Sequence, residues 1–191
     1  MYSCMEEKFR YLDHMTDLIV EAYGNTLQEL FENSAFGLIN AMFDMSNVEL
    51  SHSIKIIAQG HDFKSLLYDW IEKIILSIYI DRMIVVKFDS LSFSKIITND
   101  HTNNNNKENN NITIVREMEI IANDLDLYDS DKSTKSKPDN YIYKIECIGK
   151  GDIIDLHKHE YKIEVKSITY HEMEIKRDEA GYYIARFLVD L

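Results

Sequence analysis

The residues best equipped for chemistry lie near the two ends of the chain. Asp13, His14 and Asp17 fall close together, Asp44 follows a helix-like stretch, and Asp190 stands next to last, beside Leu191 and its terminal carboxylate. Carboxylates and main-chain carbonyls are hard oxygen donors, which suit calcium or magnesium better than zinc. Taken singly, each Asp is more often a turn or cap residue, and Asp44 ahead of Ser46 and Asn47 fits that pattern. Asp190 differs in kind. It follows Phe187, Leu188 and Val189 in a strand-like run, where a carboxylate is costly unless it is paired or ligating. The plainer alternative is that the last residues fray and leave it in water.

Other candidates carry less. His157 and His159 bracket Lys158, and His171 follows Tyr170, but no acidic third ligand stands at a telling spacing. A surface or turn role is the favoured reading for these histidines. Gly149-Lys150-Gly151 lacks the length and the Ser/Thr of a phosphate-cradling loop. No nucleophile motif of the G-x-S-x-G, H-E-x-x-H or Cys–His kind occurs. Nothing assembles a nucleophile, a base and an oxyanion hole, which points away from an independent enzyme.

Charge narrows the partners. The chain has 21 Lys plus Arg against 33 Asp plus Glu, a formal charge of -12. Tight RNA or DNA binding needs clustered cations, so an autonomous nucleic-acid module is not expected. The balance permits a hard metal site or a basic protein partner, or simply keeps the protein soluble. Cys4 and Cys147 are far apart and form no Cys-x-x-Cys pair, which fits a reducing compartment. The first ten residues show no apolar signal core, and the longest apolar run, 74–80, is too short to span a bilayer. The expectation is an intracellular protein, cytoplasmic or nuclear, without membrane contact.

These residues need elements to position them. Thr26 can cap a helix with Glu29 completing a capping box, and Leu27, Leu30, Phe31, Ser34/Ala35, Leu38 and Met42 follow at helical spacing. A second helix starts at Asp62 and carries Phe63, Leu66, Leu67, Trp70, Ile71, Ile74, Ile75 and Ile78 on one face. Strands are predicted over 17–23, 51–59, 141–148, 161–170, 172–177 and 182–191, with turns at 149–151 and 178–181. This order predicts an α+β fold: a single layered domain over 1–191, with a mixed or antiparallel sheet and two main helices. Residues 99–111, with seven Asn in 101–111, and 123–140, with the only proline, Pro138, have too few apolar groups to offset their ordering entropy. Both are expected to be disordered insertions, flanking a strand over 112–122.

Several segments, taken in order, resemble the archease family. Tyr11-Leu12-Asp13-His14-Met15-Thr16-Asp17 is similar to the family's Y-L-D-H-T-A-D, and residues 22–32, from Ala22-Tyr23-Gly24 to Phe31-Glu32, resemble A-Y-G-x-T-L-E-E-L-F-E. Gly60-His61-Asp62-Phe63 with Leu66-Leu67 resembles G-x-D-L-x-x-L-L. Lys158-His159-Glu160 followed by Glu164-Val165-Lys166-Ser167-Ile168-Thr169-Tyr170-His171 resembles K-H-E…E-V-K-A-I-T-Y-H, and Val189-Asp190-Leu191 fits the closing Asp plus apolar residue. The chain departs at Met15-Thr16, at Ser167 and in its two insertions.

The resemblance implies a non-catalytic protein that activates the tRNA-splicing RNA ligase joining 3′-phosphate and 5′-hydroxyl ends, by promoting the ligase's guanylylation and repeated turnover. It implies a divalent metal, calcium first and magnesium or manganese as alternatives, held by Asp17, Asp190 and Leu191. Asp44 is a lesser candidate. Lys166 is implied as a functional cation, with Asp13 and His14 as further partner contacts. The ligase is the implied partner, with no tight RNA binding by the chain itself. Two other classes remain as alternatives: a chaperone-like module, which needs a large exposed apolar patch, and a metal-dependent phosphate-processing enzyme, which turns over substrate alone.

Overall fold

The computed structural model describes residues 7–13, 15–99, 111–116, 121–125 and 141–191. The fold is α+β, with its strands in two antiparallel sheets rather than one. The first sheet holds β1 (Phe9–Asp13), β2 (Asp17–Gly24), β8 (Tyr183–Asp190) and β7 (Ser167–Arg177), in that order. The second holds β3 (His52–Gly60), β6 (Tyr141–Ile153), β4 (Met83–Asn99) and β5 (Asn111–Val115). The chain leaves β2 through α1 (Leu27–Met42), which delivers β3 to the second sheet, and α2 (Phe63–Tyr79) then leads to β4.

Both helices bury the stripes that their periodicity predicts. Leu27, Leu30, Phe31, Leu38 and Met42 of α1 are buried, as are Leu66, Leu67, Trp70, Ile71 and Ile74 of α2. On one side α1 packs on β2, and on the other it meets β4, where Phe31 stands edge-on to Phe93. α2 lies over β3 and borders β7. Trp70 ties the helices together by donating its indole N–H to the Phe31 carbonyl at 2.8 Å. A buried indole N–H left unpaired would be costly, so this bond accompanies the burial of the ring.

The helix starts follow the capping chemistry with one difference. Thr26 accepts from the Glu29 N–H at 3.1 Å, as expected, but the Glu29 carboxylate reaches past Thr26 to the Asn25 N–H at 2.8 Å. A full capping box forms instead on α2, between Asp62 and Ser65.

The strand expectations differ from the structure at five places, the first at 149–151, which form no turn but continue β6 to Ile153, paired with both β3 and β4. β1 and β4 have no counterpart among the predicted strands. β1 is short and, among the described residues, pairs only with β2, and β4 mixes apolar with Lys, Asp and Ser residues around two register shifts, so its alternation is broken. Residues 161–166 form no strand beyond one isolated bridge, Phe43 to Tyr161, and 167–177 make one bulged strand in place of two. The strand expected over 112–122 stops at Val115. A helical segment covers 121–125, where Ile121 and Leu125, one turn apart, are both fully buried. Of the two expected insertions, 100–110 and 126–140 lie outside the described residues.

One close approach can be tested. Gly151 sits in β6 between β3 and β4, and a Cβ there would fall against the Ile84 carbonyl. Gly151→Ala should therefore destabilise the chain by about 1–3 kcal/mol, the usual cost of overpacking. Urea unfolding of the variant measures it, and an unchanged midpoint would show that the two strands part without cost.

Candidate metal-binding tip

Three strands and a long connection bring the end residues together. Asp17, the first residue of β2, lies directly opposite Asp190 of β8, and Ser167, the first residue of β7, faces Asp190 from the other side. Directly opposed residues of an antiparallel pair project on the same face, with Cβ atoms about 4.5–5.5 Å apart, and like charges so placed repel. Asp190 Oδ2 accepts from the Ser167 hydroxyl at 2.6 Å, and Asp17 Oδ2 accepts from the Thr16 hydroxyl at 3.1 Å. The Lys166 ammonium donates to the Leu191 carbonyl at 2.5 Å, and the Lys166 N–H to the Asp190 carbonyl at 2.9 Å. Asp17, Asp190, Leu191 and Lys166, separated by most of the chain's length, thus share one tip.

α1 ends near the same edge. Tyr11 donates to the Gly37 carbonyl at 2.8 Å, and a Cβ at Gly37 would meet Val20, the residue opposite Tyr11. The helix therefore runs antiparallel to β2, and its last turn points toward Asp17. Asp44 follows the C-cap Phe43. Its Oδ1 accepts from the Ser46 N–H at 2.9 Å, and that bond holds its carboxyl below the ordinary carboxylate value. This is the turn role its sequence context suggests. Asp13 ends β1 opposite Leu18, and His14 lies outside the described residues. Among the described residues no three His, Cys, Asp or Glu side chains gather as a metal cluster. The tip offers two carboxylates, a main-chain carbonyl and hydroxyls, all hard donors that fit calcium or magnesium.

Lys166 is placed by the connection 154–166, which runs from the second sheet to the first. The Glu160 main-chain carbonyl accepts from the Asp44 N–H at 2.9 Å, the Lys162 N–H donates to the Met42 carbonyl at 2.8 Å, and Tyr79 donates to the Val165 carbonyl at 2.8 Å. Phe43 and Tyr161 stack edge-on at 5.2 Å. The Lys158-His159 pair fastens the near end of this connection. Lys158 donates to Asp152 Oδ2 at 2.5 Å and holds that carboxyl well below its usual range. His159 does not sit on the surface: it is 1% exposed, and its Nδ1 accepts from the Asp155 N–H at 3.1 Å, closing a turn. Its Nε2 lies 3.5 Å from Asp152 with no hydrogen-bond partner among the described residues. His157 and His171 are exposed, as expected.

Two features of the structure are not marked by any local pattern. Ser167, a departure from the family pattern, is the hydroxyl that orients Asp190. Glu21, in the middle of β2, is 3% exposed and accepts from Arg10, Arg186 and Tyr23. Its burial is invisible in sequence because β2 is covered on both faces, so no alternation marks it.

The profile of the Archease protein family (MTH1598/TM1083) matches residues 9–126 and 110–191. A protein archease from Sulfurisphaera tokodaii is 30% identical over 97% of this chain and 99% of its own length. One from Danio rerio is 28% identical over 93% of this chain and 83% of its own. The solution structure of Methanobacterium thermoautotrophicum protein 1598 superposes with a TM-score of 0.59 at 24% identity, over 96% of this chain and 99% of that one, and so shares its fold. The ordered motifs, the fold and full-length relatives at these identities agree: this chain belongs to the archease family.

Proposed function

We propose that this chain is a metal-binding activator of the tRNA-splicing RNA ligase that joins 3′-phosphate and 5′-hydroxyl ends, promoting guanylylation of the ligase and its repeated turnover. Family membership supports the class of function, and the directly opposed Asp17–Asp190 pair supports the metal. Two carboxylates facing each other across a ladder repel, and a cation between them would relieve that repulsion. Asp17, Asp190 and the Leu191 carbonyl would hold a divalent ion, calcium first, with magnesium or manganese as alternatives. Such an ion would supply positive charge against the phosphates of a ligase–nucleotide complex. Ser167 orients the Asp190 carboxylate from the side. Lys166 already places an ammonium on the Leu191 carbonyl, so this oxygen is turned toward cations in the free protein. A shell with so few protein ligands leaves positions for groups from a partner, which suits a site that acts when docked.

The chain itself should neither ligate RNA nor hold it tightly at physiological salt, because its charge of -12 gives little counterion release. Single- and multiple-turnover ligation with the purified ligase, with and without this chain, tests the reading. The expected result is more guanylylated ligase and product beyond the first cycle. Equal turnover in both arms sinks the activator reading. Metal-dependent phosphate release by the isolated chain would favour the enzyme alternative in its place.

A further inference from the structure

Three residues along β7 from Ser167, Tyr170 lies flat against Tyr68 of α2. Their ring centroids are 4.4 Å apart and their planes 4° from parallel. The backbone aims these rings. The ladder between β7 and β8 breaks between Thr169 and Glu174, so the residues from Tyr170 to Met173 stand against Phe187 alone. Glu172, inside this bulge, has φ 55°, a left-handed conformation uncommon outside glycine. Bulges re-aim side chains. Here Met173 turns into the core, while Tyr170 turns onto α2 with 54% of its surface exposed.

The border of this aromatic surface is acidic. Tyr68 and Glu72 are one turn apart on α2, with Asp69 beside Tyr68, and Asp62 caps the same helix. Partial burial first, and then the fields of Asp62, Tyr68, Asp69 and Glu72, push the Tyr170 hydroxyl above its ordinary value. Asp62 is engaged by the Ser65 N–H, and Asp69 by Lys73 and the Gln59 N–H. Glu72 has no ion-pair partner among the described residues. With Glu172 in the bulge, four carboxylates stand against Lys64 and Lys73.

An aromatic face attracts a cation through its quadrupole, and carboxylates at the border can accept hydrogen bonds from that cation's edge. We infer that the Tyr68–Tyr170 stack and the Glu72 carboxylate form a docking point for an arginine side chain on a basic segment of a partner protein. A guanidinium matches better than an ammonium because it is planar, weakly hydrated and stacks on rings. A nucleic-acid base can use the ring, but its phosphates meet the carboxylates. The inference needs no metal at the tip, and it stands or falls separately from ligase activation.

Fluorescence anisotropy of dye-labelled Gly–Arg and Gly–Lys repeat peptides of equal length, at about 0.15 M salt, tests it. Charge attraction alone treats the two peptides alike, whereas stacking prefers arginine by about fivefold. Tyr170→Ala should bring that ratio to about one, Tyr170→Phe should preserve it, and Glu72→Gln should weaken arginine binding several-fold. Equal affinity of the wild-type chain for the two peptides, or a preference that survives Tyr170→Ala, overturns the inference. Far-UV circular dichroism checks that each variant is folded. Glu72→Gln lies on the helix surface and keeps the test decisive if Tyr170→Ala does not fold; unchanged arginine binding by Glu72→Gln then counts against the docking point.

Discussion

Asp190→Ala should cut ligase stimulation by at least about tenfold, because loss of a direct ligand should cost no less than the tenfold or more that supporting residues of metal sites commonly cost. The carboxylate lies between Asp17 and Ser167 at the sheet end, outside the helical core stripes. Its loss should therefore leave the melting temperature within a few degrees. Asp17→Ala should behave alike, since either change leaves one carboxylate where two oppose each other. Ser167→Ala should cost less, because it removes only the hydrogen bond that orients Asp190. Calcium or manganese titration followed by multiple-turnover ligation measures each variant. Full stimulation by Asp190→Ala would sink the site assignment.

The largest effect on stability should come from Glu21. Its carboxylate takes charged hydrogen bonds from Arg10 at 2.5 Å on β1 and from Arg186 at 2.5 Å on β8, with the Tyr23 hydroxyl as a third donor. The three strands are thus pinned across one row, Arg10 opposite Glu21 and Glu21 opposite Arg186. Glu21→Ala removes the shared acceptor and leaves two guanidinium groups and a hydroxyl facing each other. Breaking a buried ion pair from one side costs about 3–5 kcal/mol, and both arginines here are partly solvated, so the low end is expected. For a chain of this size that corresponds to a drop of about 6–12 °C in Tm.

The same residue sets a pH dependence. Burial alone would raise the Glu21 carboxyl, but the hydrogen bonds from Tyr23, Arg186 and Arg10 overcome it and hold the group at about 2, against an ordinary value of 4.5. Its contribution is therefore complete above pH 4.5 and is lost as the pH falls toward 2. Thermal unfolding of wild type and Glu21→Gln across this range should show the difference between them shrinking as the pH drops. A constant difference down to pH 2 would mean the carboxylate gains nothing from its arginines.

The elements that local patterning describes are those whose burial is one-sided. α1 and α2 carry apolar residues at helical spacing, and the caps Thr26 and Asp62 stand where their side chains accept the first orphan N–H groups. β3 and β6 alternate because one face of the second sheet meets α2 and the other meets water. Local sequence says nothing clear where that condition fails. β4 is broken by register shifts, and 154–166 is held by long-range bonds to Met42, Asp44 and Tyr79 rather than by a repeating pattern; β2 is legible as a strand, but its cover on both faces hides the burial of Glu21.

The candidate site divides in the same way. The residue types, the family motifs and the hard-donor character of Asp17, Asp190 and Leu191 belong to the sequence itself, since they depend only on which atoms the chain carries. That Asp17 and Asp190 oppose each other in one row is a property of strand register, which comes from pairing the first described strands with the last. Lys166 reaches the Leu191 carbonyl because the connection from β6 crosses between the sheets, and His159 is buried because that connection is fastened at Asp155. The stacked Tyr68 and Tyr170 are a hundred residues apart and meet only because a bulge in β7 turns one ring onto α2. Contacts over such separations depend on how the two sheets and two helices close around one core, and no local pattern of residues encodes that closure.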